Sequence, residues 1–473
     1  MKPSKSWLIL RDPEKLQQTE TLFADCPINI TVEGKRHLGA ALGTDTFKTT
    51  YIDEKVSEWC KRLSNLSKIA RSRPHAAYAA YTHGEQHRYT YFMRTLTNIS
   101  QNLEPIDKIL EEQFLPALFG HDITDNDREL LALPVKEGGL GIRRISANAA
   151  KNQDASRQIT APLIKQITLQ SDELPSDEEV LNARTKTMEK IRKDQQQNVE
   201  NVHLKQSPEL QRKITQITEP GASSWLGALP LSEYGFNLGR GEFQDALCLR
   251  YNKNLKNLPS KCVCGAKFDT THALNCHRGG FVNIRHDNIR DMEARLLKSV
   301  LKDVETEPSL QPVIDKTGYA QTAVLGDEAR PDVRARGFWR DGQNAFFDVM
   351  ITNADCKSNR SFSVPGVLRK AEGDKKRGYN RRIMLVEQGT FTPLIFTTDG
   401  AMGRECQKYH KQLAEKISTK NGDRYDEVMR YIKVKTSFMV LKGTLMCLRG
   451  SRTIKRNVEG GDDFSVCLQE LGV

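Results

Sequence analysis

Two aspartates, Asp332 and Asp348, sit in strand-like runs rich in aromatic and β-branched residues, Arg330 to Trp339 and Ala345 to Thr352, on either side of the polar turn Arg340-Asp341-Gly342-Gln343. Two carboxylates facing each other at strand-pair distance repel. A divalent cation removes that cost, and it can polarise a phosphate oxygen and activate water. Whether the pair can share an ion depends on the loop. A two-residue Asp341-Gly342 turn pairs Ala335 with Asp348 and sends Asp332 to the opposite face. An odd-numbered loop centred near Arg340, or a bulge, sets Asp332 opposite Asp348, so the cation site requires the longer loop. The basic group such a site needs is Lys375 or Lys376, in the charged run Arg369 to Arg377. On these residues alone, an ordinary exposed hairpin with solvated acids remains open.

A second constellation is Cys262-Val263-Cys264-Gly265, then His272, then Cys276. Three thiolates and an imidazole within so short a segment, with Gly265 to turn the first loop, suit tetrahedral Zn²⁺. The one-residue gap between the first two cysteines is tighter than usual, and His277 is a possible substitute ligand. The other cysteines of the ten are scattered, which suits reduced thiols better than a disulfide framework.

The elements around these residues alternate in kind. From Ile52, apolar Val56, Trp59, Leu63, Leu66 and Ala70 recur at helical spacing up to Pro74. Helical patterns follow through Ala76–Tyr81, Tyr91–Leu103 and Ile106–Leu118, and a capped one runs from Thr124 to Leu133. Gly138-Gly139-Leu140-Gly141-Ile142 marks a tight turn without phosphate-loop spacing. A helix is expected over 146–170. Ser176 to Glu179 opens another as a capping box; it runs to about Leu204 with charge on all sides, as a linker or against a partner. Ile289, Met292, Leu296, Val300 and Leu301 stripe one helix after Arg285-His286-Asp287, with Glu293 beside them, either reaching the metal or solvated. After the aspartate hairpin come a lysine-rich helix through Tyr379, strands at Ile383–Glu387 and Leu394–Thr397, and two closing helices.

With 473 residues the chain has room for about three domains. A net charge of +11 with 28% charged residues favours a polyanionic partner, DNA and also RNA, over a small-molecule substrate. No apolar run reaches bilayer length, so a soluble intracellular protein without a membrane partner is expected.

Together these residues resemble the C-terminal part of a non-LTR retrotransposon polyprotein with a restriction-like endonuclease, over nearly the whole chain. Lys5-Ser6-Trp7 followed by His37-Leu38-Gly39 is similar to the end of the reverse-transcriptase palm, and Gly138 to Ile142 to the motif after its thumb. The cysteine–histidine cluster resembles the family's CCHC knuckle, and Arg285-His286 a basic pair after it. Pro331-Asp332, Asp348, and Lys375 or Lys376 with Tyr379 resemble the Pro-Asp, second-acid and displaced lysine–tyrosine elements of PD-(D/E)XK nucleases.

The resemblance implies an α+β chain: a palm-like end (1–45), a helical thumb-like domain (46–170), a charged helical linker (171–215), a connector with the zinc knuckle (216–280), a mixed α/β nuclease domain (281–450) and a tail (451–473). It implies nuclear nicking of target DNA for target-primed reverse transcription. Asp332 and Asp348 would hold Mg²⁺ beside Lys375 or Lys376 and Tyr379. Arg285, His286, Arg334, Arg336, Arg369, Lys370 and Arg377 would serve nucleic-acid binding. The chain departs from the pattern at Met350, where such nucleases often carry lysine, and it lacks the polymerase aspartates, since the one Asp-Asp pair is Asp462-Asp463. Reverse transcription by this chain alone is therefore excluded, and a truncated element is expected. The alternative is a folded, zinc-bearing nucleic-acid-binding remnant without catalysis.

Overall fold

The computed structural model describes residues 5–452, so Asp462-Asp463 and the tail from 453 on lie outside the described residues. The protein combines many helices with small sheets, an α+β architecture. It divides into two units, Met1–Gln206 and Ser207–Val473. Among the described residues no helix is long and apolar enough to cross a membrane.

The first unit opens with β1 (Trp7–Ile9), α1 (Leu16–Leu22) and β2 (Asn29–Thr31), whose strands pair in parallel, and with the antiparallel hairpin of β3 (Gly34–His37) and β4 (Ala40–Gly43). Its helices are α2 (Asp45–Ala70), α3 (Pro74–Ala80), α4 (Gln86–Thr95), α5 (Glu104–Ile109), α6 (Leu115–Phe119), α7 (Asp125–Ala132), α8 (Ile145–Thr168) and α9 (Asp177–Leu204). The apolar stripe of α2 places Ile52, Val56, Trp59 and Leu63 in the core, with Trp59 edge-on to Tyr89 and Phe92. The helical pattern expected to reach Leu103 stops instead at Thr95. Leu96 is extended and Asn98 takes a left-handed φ of 58°, so the chain turns and starts again. The capping boxes at Thr124 and Ser176 are formed. Helix α9, so sparingly apolar, lies against α8.

The glycine turn is architectural. Gly138 and Gly141 have φ of 89° and 71°, and a Cβ on Gly139 would sit 1.9 Å from the Leu133 carbonyl oxygen. The segment is tied down by Arg128, almost wholly buried, which donates to the carbonyls of Ile142 (2.6 Å) and Arg143 (3.0 Å).

The second unit runs through α10 (Pro208–Thr218), α11 (Arg240–Arg250), α12 (Thr270–Asn275), α13 (Phe281–Lys298), β5 (Val304–Thr306), β6 (Val333–Arg336), β7 (Asn344–Thr352), α14 (Val364–Leu385), β8 (Thr390–Thr397), α15 (Arg404–Asn421) and α16 (Tyr425–Arg449). The sheet order is β5-β6-β7-β8, antiparallel up to β7 and parallel between β7 and β8. The parallel step needs a crossover, which α14 supplies. One face of the sheet presents Val333, Ala335, Ala345, Phe347, Val349, Leu394 and Phe396 to the apolar sides of α13, α15 and α16. The other presents Phe346, Met350, Phe391 and Ile395 to α14 and its flanks. Period-two alternation thus builds two cores, one on each side.

Two expectations are corrected here. Ile383–Glu387 is not a strand: α14 continues to Leu385. The fully buried Arg382 holds its last turn by donating to the carbonyls of Gln311, Val324 and Gly326, each at 3.0 Å, which pins the segment between β5 and β6 to the helix. Glu293 neither reaches a metal cluster nor meets solvent. It is fully buried, 2.9 Å from Nε2 of the equally buried His410.

Replacing Gly139 by alanine forces the added carbon into the Leu133 carbonyl. A loss of about 1–3 kcal/mol is expected, seen as a lower denaturation midpoint with unchanged slope in urea unfolding of the full chain.

Candidate metal centre and carboxylate site

The sheet register decides the question the sequence left open. Val333 pairs with Phe347 and Arg336 with Asn344, so the connecting loop is 337–343, an odd number of residues centred on Arg340. Continuing the register by one position places Asp332 directly across from Asp348. The strand ends early because Phe338 is fully buried against Phe347 and Tyr409, while Gly337 (φ 83°) and Gly342 (φ 75°) supply the reversals. Apolar burial of one loop residue thus lengthens the loop and brings the two acids onto one face.

That face is covered by α14. Lys375 Nζ lies 2.5 Å from Asp348 Oδ2, whereas Lys376 turns away to Glu405 at 3.2 Å. Met350, two residues beyond Asp348, packs against the cluster containing Val364, Leu368 and Ile395. Asp332 Oδ2 accepts from the Val349 amide at 2.6 Å and lies 3.1 Å from His286 Nε2. Tyr379 stacks on Phe391 and its hydroxyl meets the Arg330 carbonyl at 3.4 Å.

The electrostatics follow the geometry. Burial raises the Asp348 carboxyl and the Asp332 charge adds to this against Lys375, so that it rises to about 6. Burial works against the His286 cation, but Asp332 and Asp287 outweigh it and lift the imidazole to about 9. The Tyr379 phenol, buried and near both acids, is pushed up to about 12 and stays protonated. Burial is the main reason Asp348 is raised and the Asp332 charge a lesser one; a cation between the carboxylates offsets both, and two carboxylate oxygens are the donor chemistry that Mg²⁺ takes.

The basic residues assigned to nucleic acid separate into two groups. Arg336, Arg369, Lys370 and Arg377 are exposed, with Lys370 over the Phe362 ring and Arg377 beside Asp374. Arg334 is drawn into pairs with Asp303 (2.9 Å) and Glu305 (3.1 Å). Arg285 is corrected outright: only 2% exposed, it packs against Gly443 of α16 and donates to the Leu274 carbonyl, out of reach of a phosphate. His286 belongs to the carboxylate site rather than to a binding surface. Its position was readable, because His286 lies one helical turn before Ile289, which is fully buried in the core that α13 shares with the sheet.

The second constellation also assembles. The thiols of Cys262, Cys264 and Cys276 and the imidazole of His272 bring one ligand atom each within 4.8 Å of one another. A bridge between Lys261 and Lys267 closes the first loop around Gly265, at φ 87°. Asp269 caps α12 through the His272 amide at 2.8 Å, and one helical turn then carries the chain from His272 to Cys276. The Cys262–Cys276 sulfur separation is 3.8 Å, too long for a disulfide and equal to the edge of about 3.8 Å that ~2.3 Å zinc–sulfur bonds give in a tetrahedron. Burial raises the Cys262 thiol, but the Cys264 amide and the neighbouring imidazole and thiols bring it down to about 6, while Cys276 stays raised. The cluster fits zinc. His277 is exposed and is not part of it.

No protein-family model matches this sequence, and no curated protein is similar to it. The reading of the site rests on its chemistry.

Purified protein is expected to carry one zinc per chain, measured by elemental analysis. Cys276→Ser should lose most of it and melt at a lower temperature, since a closed tetrahedral site contributes folding free energy directly.

Proposed function

We propose that the second unit is a metal-dependent, DNA-nicking endonuclease and that the chain derives from the C-terminal part of a retrotransposon polyprotein acting in the nucleus. The single observation that supports this most is the placement of Asp332 opposite Asp348 with Lys375 at the second carboxylate. It has the composition of the Pro-Asp, second-acid and displaced-lysine pattern read from the sequence, with an α14 lysine where Met350 leaves none.

In this reading the two aspartates hold Mg²⁺, which when bound polarises a phosphate oxygen and acidifies its water. Lys375 carries positive charge to the same face and stabilises the negative charge that grows on the phosphate as the ester is attacked. Tyr379, still protonated, offers only a hydrogen bond. Lys376, committed to Glu405, plays no part. Exposed Arg336, Arg369, Lys370 and Arg377 would contact phosphates, giving an affinity for DNA, or for element RNA, that falls with salt.

The test is nicking of supercoiled plasmid by the full chain with Mg²⁺ or EDTA. Asp332→Ala and Asp348→Ala should abolish it, Lys375→Ala should slow it about 10²–10³-fold as for the loss of one charge-stabilising donor, and Lys376→Ala should leave it near wild type. The pH response has a definite sign. Asp348 must be ionised to hold the cation, and its value is raised, so cation affinity and nicking should fall as the pH drops through about 6. A wild type that binds DNA yet is as inert as both aspartate variants supports the alternative, a binding remnant without catalysis.

A further inference from the structure

β7 outruns its antiparallel partner. The last pair of β6 is Val333 with Phe347, yet β7 continues to Thr352, so the peptide groups of Val349 on that edge have no strand to meet. A side chain from each of two other elements takes them instead. The Val349 amide donates to Asp332 Oδ2 at 2.6 Å, and the Val349 carbonyl oxygen lies 3.1 Å from His286 Nε2. The same Nε2 is 3.1 Å from Asp332 Oδ2. One imidazole nitrogen, one carboxylate oxygen and one peptide unit thus form a closed triangle of contacts at the open end of the strand pair.

The imidazole is itself held. Its Nδ1 lies 3.2 Å from Asp287 Oδ1, which is in turn 3.2 Å from Arg290 Nη1, and Arg290 also reaches Asp291 at 2.8 Å. The helix carrying all four residues is seated by Ile289 and Met292, both fully buried in the core beneath the sheet. The anchor is therefore rigid. Asp332 Oδ2 has two donors, whereas among the described residues no hydrogen bond reaches Oδ1.

We propose that His286 is the positioning residue of the carboxylate pair: by holding Asp332 Oδ2 and the Val349 carbonyl together, it fixes the carboxylate plane so that Oδ1 is presented to a divalent cation shared with Asp348. This rests on reading the two aspartates as a cation site. Carboxylates that bind metals are held in just this manner through their other oxygen, and loss of such an outer partner typically weakens metal affinity 10–100-fold. Val349 N alone leaves the carboxylate free to swing about a single hydrogen bond. His286 removes that freedom and closes the unpaired strand edge in the same contact.

The experiment is titration calorimetry with Mn²⁺ on the zinc-loaded full chain, which reads binding without requiring activity. It compares wild type with His286→Gln, His286→Phe and Asp332→Ala, each first shown to melt cooperatively. His286→Gln keeps an N–H donor and should bind Mn²⁺ close to wild type. His286→Phe keeps the ring's bulk without the donor and should bind about 10–100-fold more weakly. Asp332→Ala should remove the site. Wild-type affinity in His286→Phe overturns the proposal and leaves the cation site standing, as does a His286→Gln variant no better than His286→Phe. If Asp332→Ala binds Mn²⁺ as wild type does, the cation site itself fails and the role of His286 with it.

Discussion

The second unit depends on a parity: the loop between β6 and β7 has an odd number of residues. Side chains alternate across a strand with period two, so one residue more or fewer would send Asp332 to the apolar face and leave a lone buried carboxylate on the other. The parity is set by Phe338, whose buried ring packs against both Phe347 and Tyr409 just after β6 ends at Arg336. A hydrophobic contact on one face of the sheet therefore decides which acids meet on the other. Two carboxylates brought together in this way carry a cost, chiefly of burial and in smaller part of mutual repulsion, that raises Asp348, and the surrounding cations Lys375 and His286 answer part of it. A divalent ion would answer the rest.

The cysteine–histidine cluster and the carboxylate site solve different problems by related means. Around Cys262 the chain is loop-rich with only a small apolar cluster, and four convergent ligands can add to the order that this packing gives. Around Asp332 packing is ample, and the polar groups are the ones that need support. Buried charged residues meet that need through backbone carbonyls and neighbouring acids: Arg382 fixes the long segment leading to Asp332, and Arg128 fixes the glycine turn of the first unit in the same manner.

Much of this was legible in the residues. The cluster of four candidate ligands could be read from its spacing, because a turn glycine and one helical turn leave little freedom in where Cys262, Cys264, His272 and Cys276 go. The capping boxes of α7 and α9 were equally plain, since a cap is decided by residues three apart. The loop parity was not, because Asp341-Gly342 is a strong two-residue turn signal that the burial of Phe338 overrides. Nor could local reasoning distinguish Lys375 from Lys376, where a 100° step along α14 sends one to Asp348 and the other to Glu405. Ile383–Glu387 read as a strand because its β-branched and aliphatic residues fit either period, and the anchoring of Arg382, which settled the matter, involves residues some sixty to seventy positions away. The resemblance assigns Arg285 to nucleic acid, and Glu293 reads as reaching the metal or solvated, because neither local pattern shows a buried partner. Both are buried by partners on α16 and α15 that are distant in sequence.

The central claim is that Asp332 and Asp348 share one cation. A crystal structure of the full chain grown with Mn²⁺, with data collected at the manganese absorption edge, tests it without reference to activity or affinity. The account predicts an anomalous peak between the two side chains, about 2.0–2.3 Å from one oxygen of each, with Asp332 Oδ2 still on the Val349 amide and His286. It is contradicted by a map with no anomalous density there, in which Lys375 remains on Asp348 and His286 on Asp332 at saturating manganese.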